Sequence, residues 1–340
     1  MNSLSFLSEV IKEPKPVPEV EPRRCLRNRL HSCTCDLCIE SCPQNALQYV
    51  DKQILLDKNC CTGCMRCTAV CPSEVFSCDD GLGKILSYPD GSTQKSITFS
   101  CPHQRLFLPE ETIVPCLGIF SLEALLFLSH TRKTTTFYFN TAGCQACSNY
   151  KASLAFKDEL QQLQNVGPSL STRFKIQENN THDHEVVDRR SFLRTLTNTT
   201  LETAKASLQP TQIKEKRTPG SRTIPSRIVL LKKCFEDTLD ETWNAIAGKL
   251  QPQLTIAESC TPCNRCSAIC PTGAIRLEKE KNSKHVVFRG ENCSSCGLCI
   301  NFCKQKALSL SCNYQAQGSS FFSPVKNFGR CAPRSSAVSA

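Results

Sequence analysis

Residues 95–178 alternate apolar, β-branched runs with stretches of helical spacing. ITFSC (97–101), TIVPC (112–116) and TTTFYFNTAGCQAC (134–147) read as strands that each end at or near a cysteine, and RFKIQ (173–177) as a fourth. SLEALLFLSH (121–130) and SNYKASLAFKDELQQLQ (148–164) follow two of them with helical patterns. That alternation predicts a small parallel sheet with helices on its faces. Ligands of such sheets gather beyond the carboxyl ends of the strands, where Cys101, Cys116, Cys144 and Cys147 fall. QYVDKQILLD (48–57) predicts two short strands with a turn between them. The most apolar segment, LEALLFLS (122–129), is too short to span a bilayer.

The flanking regions differ. Residues 1–24, with prolines at 14, 16, 18 and 22, read as a flexible arm. Residues 179–252 are polar and nearly cysteine-free, a partly helical linker broken by TPGSRTIPSR (218–227); residues 313–340 form a Ser/Gly/Ala/Pro-rich tail. DRRSFLRTL (188–196) mimics a twin-arginine export signal, but it lies in mid-chain with no apolar region behind it and reads as a solvated helix. Between these tracts, residues 25–82 and 253–312 are cysteine-dense. Each contains the same doubled pattern: a cysteine loop, a short helix after the last cysteine, then a strand leading to the next loop.

The chain holds 26 cysteines among its 340 residues, and its aromatic content of 7 % with one tryptophan predicts no single large aromatic core. Disulfide frameworks belong to short secreted chains, whereas MNSLSFLSEVIKEPKPVPEVEPRRC has no basic region followed by an apolar one. A reduced, cytoplasmic chain is expected, which leaves zinc or iron–sulfur clusters. The formal charge of +10 is spread out rather than gathered with aromatics, so it does not point to nucleic acid. Four four-iron clusters at roughly −2 each would offset most of it.

In CTGCMRCTAVCP (61–72), Cys61, Cys64 and Cys67 sit three apart, so one loop can aim three sulfurs at one point. Cys71 follows four later, directed to the other side, and Pro72 fixes φ as the chain leaves the loop. Structural zinc sites use two separated ligand pairs; a third ligand three residues after the second fits C-x2-C-x2-C-x3-C-P cluster binding instead. CTPCNRCSAICP (260–271) and CSSCGLCINFCK (293–304) repeat it.

These motifs resemble those of bacterial-type ferredoxins with two [4Fe-4S] clusters, most completely over residues 253–312. The resemblance implies crossed ligation: one cluster on Cys260, Cys263, Cys266 and Cys303, the other on Cys293, Cys296, Cys299 and Cys270. Lys304 stands where the family usually has proline, a change at a residue that is not a ligand. In the N-terminal block the resemblance implies a cluster on Cys61, Cys64, Cys67 and Cys42, and another on Cys35, Cys38 and Cys71 whose first ligand is open. The family's position is Ser32; Cys25, ten residues before Cys35 and able to fold back, is the preferred ligand over Cys33, which is cramped against Cys35, and a three-cysteine site is the remaining option. Cys60 reads as a spare buried thiol. The middle region is similar, over roughly 97–150, to the delta-type iron–sulfur subunit of methyl-viologen-reducing hydrogenases. Its four cysteines could hold a [2Fe-2S] cluster or zinc, act as a redox dithiol at Cys144 and Cys147, or be ordinary buried thiols.

The expected fold is α+β: two ferredoxin-like 2×[4Fe-4S] modules (25–82 and 253–312) flanking a small α/β parallel-sheet domain (95–178) and a helical linker. The expected function is that of a polyferredoxin relaying single electrons through about four clusters to redox partner proteins, under oxygen-poor conditions. Two alternatives stand beside it: a tightly bound subunit of a hydrogenase or a formate- or sulfur-compound-reducing enzyme, or a thiol- or sulfur-transfer enzyme using Cys144 and Cys147. No Gly-rich phosphate loop and no HxxxH or HExxH pattern is present, and no residue is a convincing acid, base or nucleophile, so substrate chemistry by the chain itself is not expected.

Overall fold

The computed structural model describes residues 16–78, 95–104, 106, 111–178, 222–236, 240–280 and 283–311. The 188–196 segment, most of the expected linker before residue 222, Cys312 and the 313–340 tail lie outside the described residues. Among the described residues no helix is long and apolar enough to cross a membrane.

The first cysteine-dense block runs β1 (Glu19–Val20), α1 (Leu26–Arg29), α2 (Leu37–Ser41), β2 (Leu47–Val50), β3 (Gln53–Leu56), α3 (Arg66–Val70) and β4 (Phe76–Ser77). β2 and β3 form the expected antiparallel hairpin, with positive φ at Asp51 and Lys52 in its two-residue turn. β1 closes the unit by pairing antiparallel with β4, Val20 opposite Phe76. Residues 19–24, expected to lie in a free arm, are therefore built into this block. The physical reason is apolar: Val20 packs with Leu47, Ile54, Val75 and Phe76 in one cluster.

The middle region contributes β5 (Ser96–Ser100), β6 (Glu111–Ile113), α4 (Leu122–Thr131), β7 (Thr136–Asn140), α5 (Tyr150–Val166), α6 (Pro168–Ser171), β8 (Phe174–Gln177), α7 (Ser226–Glu236) and α8 (Glu241–Leu250). The sheet is parallel throughout in the order β6-β5-β7-β8. Its strand order reverses beside β5, so the crevice between the carboxyl ends of β5 and β7 is the position where such sheets bind ligands.

Two expectations are corrected here. Phe99, Phe120, Phe137, Phe139, Phe156 and Phe174 do form one aromatic core, with ring centroids 4.8–6.3 Å apart. A low overall aromatic fraction did not reveal that they converge on one sheet. The helices α7 and α8 are not a detached linker either, because Leu231, Cys234, Trp243, Ile246 and Leu250 are buried in the same core. The i, i+3 spacing on α7 and the i, i+3, i+7 spacing on α8 put these residues on one apolar stripe of each helix.

The last block runs β9 (Gln253–Ile256), α9 (Arg265–Ile269), β10 (Ile275–Glu280), β11 (Ser283–Phe288), α10 (Leu298–Phe302) and β12 (Leu308–Ser311). Its outer strands β9 and β12 pair antiparallel around the hairpin β10–β11, the pairing scheme of the first block.

The repeat extends to single residues. The helices α2, α3, α9 and α10 each have five residues and end on Cys42, Cys71, Cys270 and Cys303 as C-caps. The short helix thus precedes the fourth cysteine of each motif rather than following it. Three residues after each C-cap, Asn45, Glu74, Gly273 and Lys306 all have positive φ. Only glycine adopts that region without cost, so the turn is imposed by its surroundings at the other three. Lys304 leaves the turn unchanged, since Lys306 has φ 51° and Asn45 the same value.

Candidate metal centres

Cysteine sulfurs converge because the loops before the short helices turn sharply. Met65, Asn264 and Gly297, each directly after the second cysteine of a motif, adopt the left-handed conformation and form the N-caps of α3, α9 and α10. The third cysteine then lies in the first helical turn and the fourth at its end.

Three cavities are lined by four cysteines each. One is bounded by Cys25, Cys35, Cys38 and Cys71. The others are bounded by Cys270, Cys293, Cys296 and Cys299, and by Cys260, Cys263, Cys266 and Cys303. Each is a void enclosed by the four thiols and the loop backbone around them. No group of three or more His, Cys, Asp or Glu among the described residues is arranged to hold a single metal ion. Four thiols around one void offer the ligand set of a four-iron cluster.

Cys42, Cys61, Cys64 and Cys67 form the fourth group. Burial pushes the Cys67 thiol well up, and Cys64, Cys61 and Cys42 add to the effect, as does Cys38 of the adjoining group. The same crowding recurs elsewhere. Cys38 is pushed up to about 12 by burial and by Cys71 and Cys25, and Cys299 is raised by burial and by Cys296, Cys293 and Cys270. Buried thiols this close resist collective ionisation unless positive charge enters between them, which an iron core supplies.

Backbone donors face the sulfurs. Ala46 and Val75 N–H groups donate to Cys42 and Cys71 Sγ at 3.3 Å, and Gly63 and Ser295 to Cys61 and Cys293 Sγ at 3.4 Å. Cys270 is the exception among the raised thiols. Burial raises it, but hydrogen bonds from Ile275, Thr272 and Ala274 outweigh that and leave it lowered. The donor set, the cavities and the aimed N–H groups fit four-iron clusters.

Cys25 and Cys33 occupy different places. Arg27 Nε donates to Cys35 O at 2.6 Å and its Nη2 to Thr34 O at 3.1 Å, folding the segment after Cys25 onto the Cys35 loop. Arg24 pairs with Glu74 at 2.8 Å, drawing the chain before Cys25 to the turn after Cys71. Cys33 does not line this cavity. It is buried in a cluster with Leu26, Leu298 and Cys296. Cys60, expected to be buried, is exposed: the Asp57 carboxylate accepts from its N–H, within a surface turn at the end of the loop after β3.

At the carboxyl edge of the sheet, burial raises the Cys101 and Cys144 thiols, with Cys147 adding to both and Cys101 to Cys144, and Cys116 is pushed up to about 12 by burial together with Cys64, Cys101 and Cys144. Asn140 Nδ2 donates to Gln104 O at 2.7 Å and braces the Cys101 loop across the crevice. Cys116 packs with Cys64 and Ala152 in one cluster, so this edge abuts the first block. Sequence reading found both groups of thiols but not their contact.

The joint between these regions is polar as well. Thr62 Oγ1 donates to Asn149 Oδ1 at 2.7 Å, and Gln44 Nε2 to Ser148 O at 2.7 Å. Arg66 and Glu159 form a buried ion pair at 2.9 Å, and Glu159 also accepts from Leu122 N–H.

Residues 259–307 match the 4Fe-4S dicluster domain. The chain is 32 % identical over 84 residues to the "Putative oxidoreductase UacF" of Escherichia coli (strain K12), covering 24 % of this chain and 13 % of that one. It is 33 % identical over 51 residues to the "Uncharacterized ferredoxin MJ0722" of Methanocaldococcus jannaschii, 15 % of this chain and 66 % of that one. The chain therefore spans about an eighth and just under two thirds of these relatives. No solved structure matches. In its C-terminal cysteine-dense block the chain carries a ferredoxin-like iron–sulfur domain.

Proposed function

We propose that the chain is a polyferredoxin, an electron-transfer protein built from two ferredoxin-like modules, each holding two [4Fe-4S] clusters. One observation carries this reading: the strand pairing and the two C-cap turns of residues 253–311 recur over residues 19–77, around cysteine groups of the same size. In module 2 the ligands are Cys260, Cys263, Cys266 and Cys303 for one cluster and Cys293, Cys296, Cys299 and Cys270 for the other. In module 1 they are Cys61, Cys64, Cys67 and Cys42, and Cys25, Cys35, Cys38 and Cys71. The bound clusters supply one-electron chemistry. The chain's residues exclude water, aim N–H groups at sulfur and set the spacing between sites.

Cys101, Cys116, Cys144 and Cys147 form a fifth site at the carboxyl edge of the sheet, which would take a [2Fe-2S] cluster or zinc. A dithiol enzyme is disfavoured, because Cys144 is raised by burial, Cys101 and Cys147, whereas a reactive thiol needs the opposite shift. The match to a small part of an oxidoreductase favours one second reading, a module bound to a larger redox enzyme.

Iron and acid-labile sulfide per chain, on protein isolated without oxygen, test the reading together with EPR after dithionite reduction. About sixteen irons with matching sulfide are expected from the four-iron sites, with spin-coupled reduced-cluster signals and a further two irons if the fifth site is filled. Zinc in place of iron, with no reducible signal, overturns it.

A further inference from the structure

Positions 74 and 273 are equivalent in the repeat. Each lies three residues after a C-cap cysteine, Cys71 in module 1 and Cys270 in module 2, and both have positive φ, 54° and 72°. One short segment touches both turns. It is residues 222–227, the end of the TPGSRTIPSR stretch that breaks the linker.

At module 2, Arg222 Nη2 donates to Ser267 O at 3.1 Å, and Thr223 N–H donates to Pro271 O at 3.0 Å. A Cβ on Gly273 would sit 3.1 Å from Arg222 Cδ. Asn45, Glu74 and Lys306 show that the turn itself accepts a side chain, so the glycine at 273 makes room for Arg222. At module 1, Ser226 N–H donates to Glu74 Oε1 at 3.1 Å, and Ser226 Oγ donates to the same oxygen. Ser226 opens α7, and Pro225 O accepts the first helical bonds, from Ile228 and Val229 N–H. Proline has no side-chain acceptor to cap a helix. The Glu74 carboxylate supplies the cap from another part of the chain, at the end where negative charge is favoured. Its other oxygen, Oε2, accepts from Arg24. One residue further, Arg227 Nη1 pairs with Glu123 Oε1 at 3.2 Å, both side chains buried, which fixes the start of α7 on α4 of the sheet domain.

The two grips are close together. Thr223 and Ser226 are three residues apart, so their backbone nitrogens lie no more than about 10–11 Å from each other even in a fully extended chain. While both grips hold, the turns after Cys71 and Cys270 cannot drift apart. We propose that residues 222–227 form a latch that clamps the two cysteine modules to each other and to the sheet domain, with Glu74 and Gly273 as its seats. Releasing it separates the modules and leaves the cysteine groups intact, because neither the latch nor its seats include a cluster ligand. The inference concerns how the modules are held and does not depend on which metal the cysteine groups take.

The test uses the full chain isolated without oxygen, with the radius of gyration from small-angle X-ray scattering and the metal and sulfide content measured on the same samples. Ser226→Asp sets a second carboxylate against Glu74, yet an acidic residue in the first turn favours α7 itself. Gly273→Asn adds a side chain where Arg222 lies, at a turn position that Asn45 already occupies in the repeat. The double variant is expected to keep the parent's metal and sulfide and to show a larger radius. Adding Glu74→Gln to Ser226→Asp restores a donor opposite an acceptor and is expected to bring the radius of that single variant back toward the parent's. Full metal content with the parent's radius in the double variant overturns the latch. Loss of metal from the double variant overturns it too, since these contacts would then support the cysteine sites rather than the joint. Zinc in place of iron in the parent overturns the polyferredoxin reading alone, and the radii still decide the latch.

Discussion

The two cysteine-dense blocks share a backbone and differ in how they complete their sites. In residues 253–311 every cysteine lining the two cavities belongs to a motif, and the loops alone bring the groups together. In residues 19–77 one cavity takes Cys25, ten residues before Cys35 and outside any motif. What replaces the missing spacing is a set of braces. Arg24 to Glu74 links positions fifty apart, and Arg27 clamps the carbonyls of Cys35 and Thr34 while lying over the Tyr49 ring at 4.8 Å. Short-range spacing and long-range hydrogen bonding are alternative ways to put a fourth thiol at the same point.

The largest expected effect separates Cys25 from Cys33. Cys25→Ser should remove or convert one cluster, losing up to about four irons per chain and one reduced EPR signal. Cys33→Ser should keep the parent's iron, since Cys33 lies against Cys296 and outside the cavity. Iron analysis showing loss in Cys33→Ser and none in Cys25→Ser would reverse the ligand assignment and with it the role given to the braces.

The next effect contrasts two arginines at the same place in the repeat. Arg66 and Arg265 both directly precede the third cysteine of a motif. Arg66 is buried against Glu159, while Arg265 lies over the Phe302 ring at 5.8 Å. Removing one partner of a buried pair costs about 3–5 kcal/mol, whereas a cation–π contact at the half-buried Arg265 contributes about 0.5–1 kcal/mol. Arg66→Ala should therefore lower the thermal midpoint far more than Arg265→Ala. Equal shifts would mean that the first block is not anchored to the sheet domain through this pair.

A smaller effect is expected at the clamp. Arg27→Ala loses two hydrogen bonds to main-chain oxygens, roughly 1–2 kcal/mol in total. Its loss should show as earlier bleaching of one cluster when the protein is exposed to air or a chelator. Bleaching at the parent's rate would leave the Cys25 site held by Arg24 and Glu74 alone.

These contrasts also mark what the amino-acid order made legible. Thiols three apart can only be aimed by the loop that carries them, so the Cys61, Cys260 and Cys293 motifs could be read locally. The parallel sheet was legible as well, from four strand runs, three of which stop at or near a cysteine. Cys25 could be preferred for the Cys35 site from reach alone, but the braces that hold it were not legible, because Arg24 meets Glu74 only after the chain has folded. The helices Ser226–Glu236 and Glu241–Leu250 were hidden by a polar average, though Leu231, Cys234, Trp243, Ile246 and Leu250 carry the apolar stripe. The contacts Cys116–Cys64 and Cys33–Cys296 join positions far apart in sequence, and no local pattern encodes them.

The smallest expected effect lies at Lys304, the one place where the fourfold repeat departs from Cys-Pro. Cys303 has φ −75° and ψ 108°, close to the −72° and 117° of Cys71, which precedes a proline. That extended conformation is the one a residue before proline requires. The turn beyond it is intact, with Lys306 at φ 51°. Lys304→Pro should then restrict the unfolded chain without straining the folded one, a stabilisation of about 0.4–1 kcal/mol. A denaturation midpoint raised by that amount, with the EPR of the Cys303 group unchanged, would show that all four turns share one backbone. A lowered midpoint would show that the fourth turn differs from the others in a way its dihedral angles do not display.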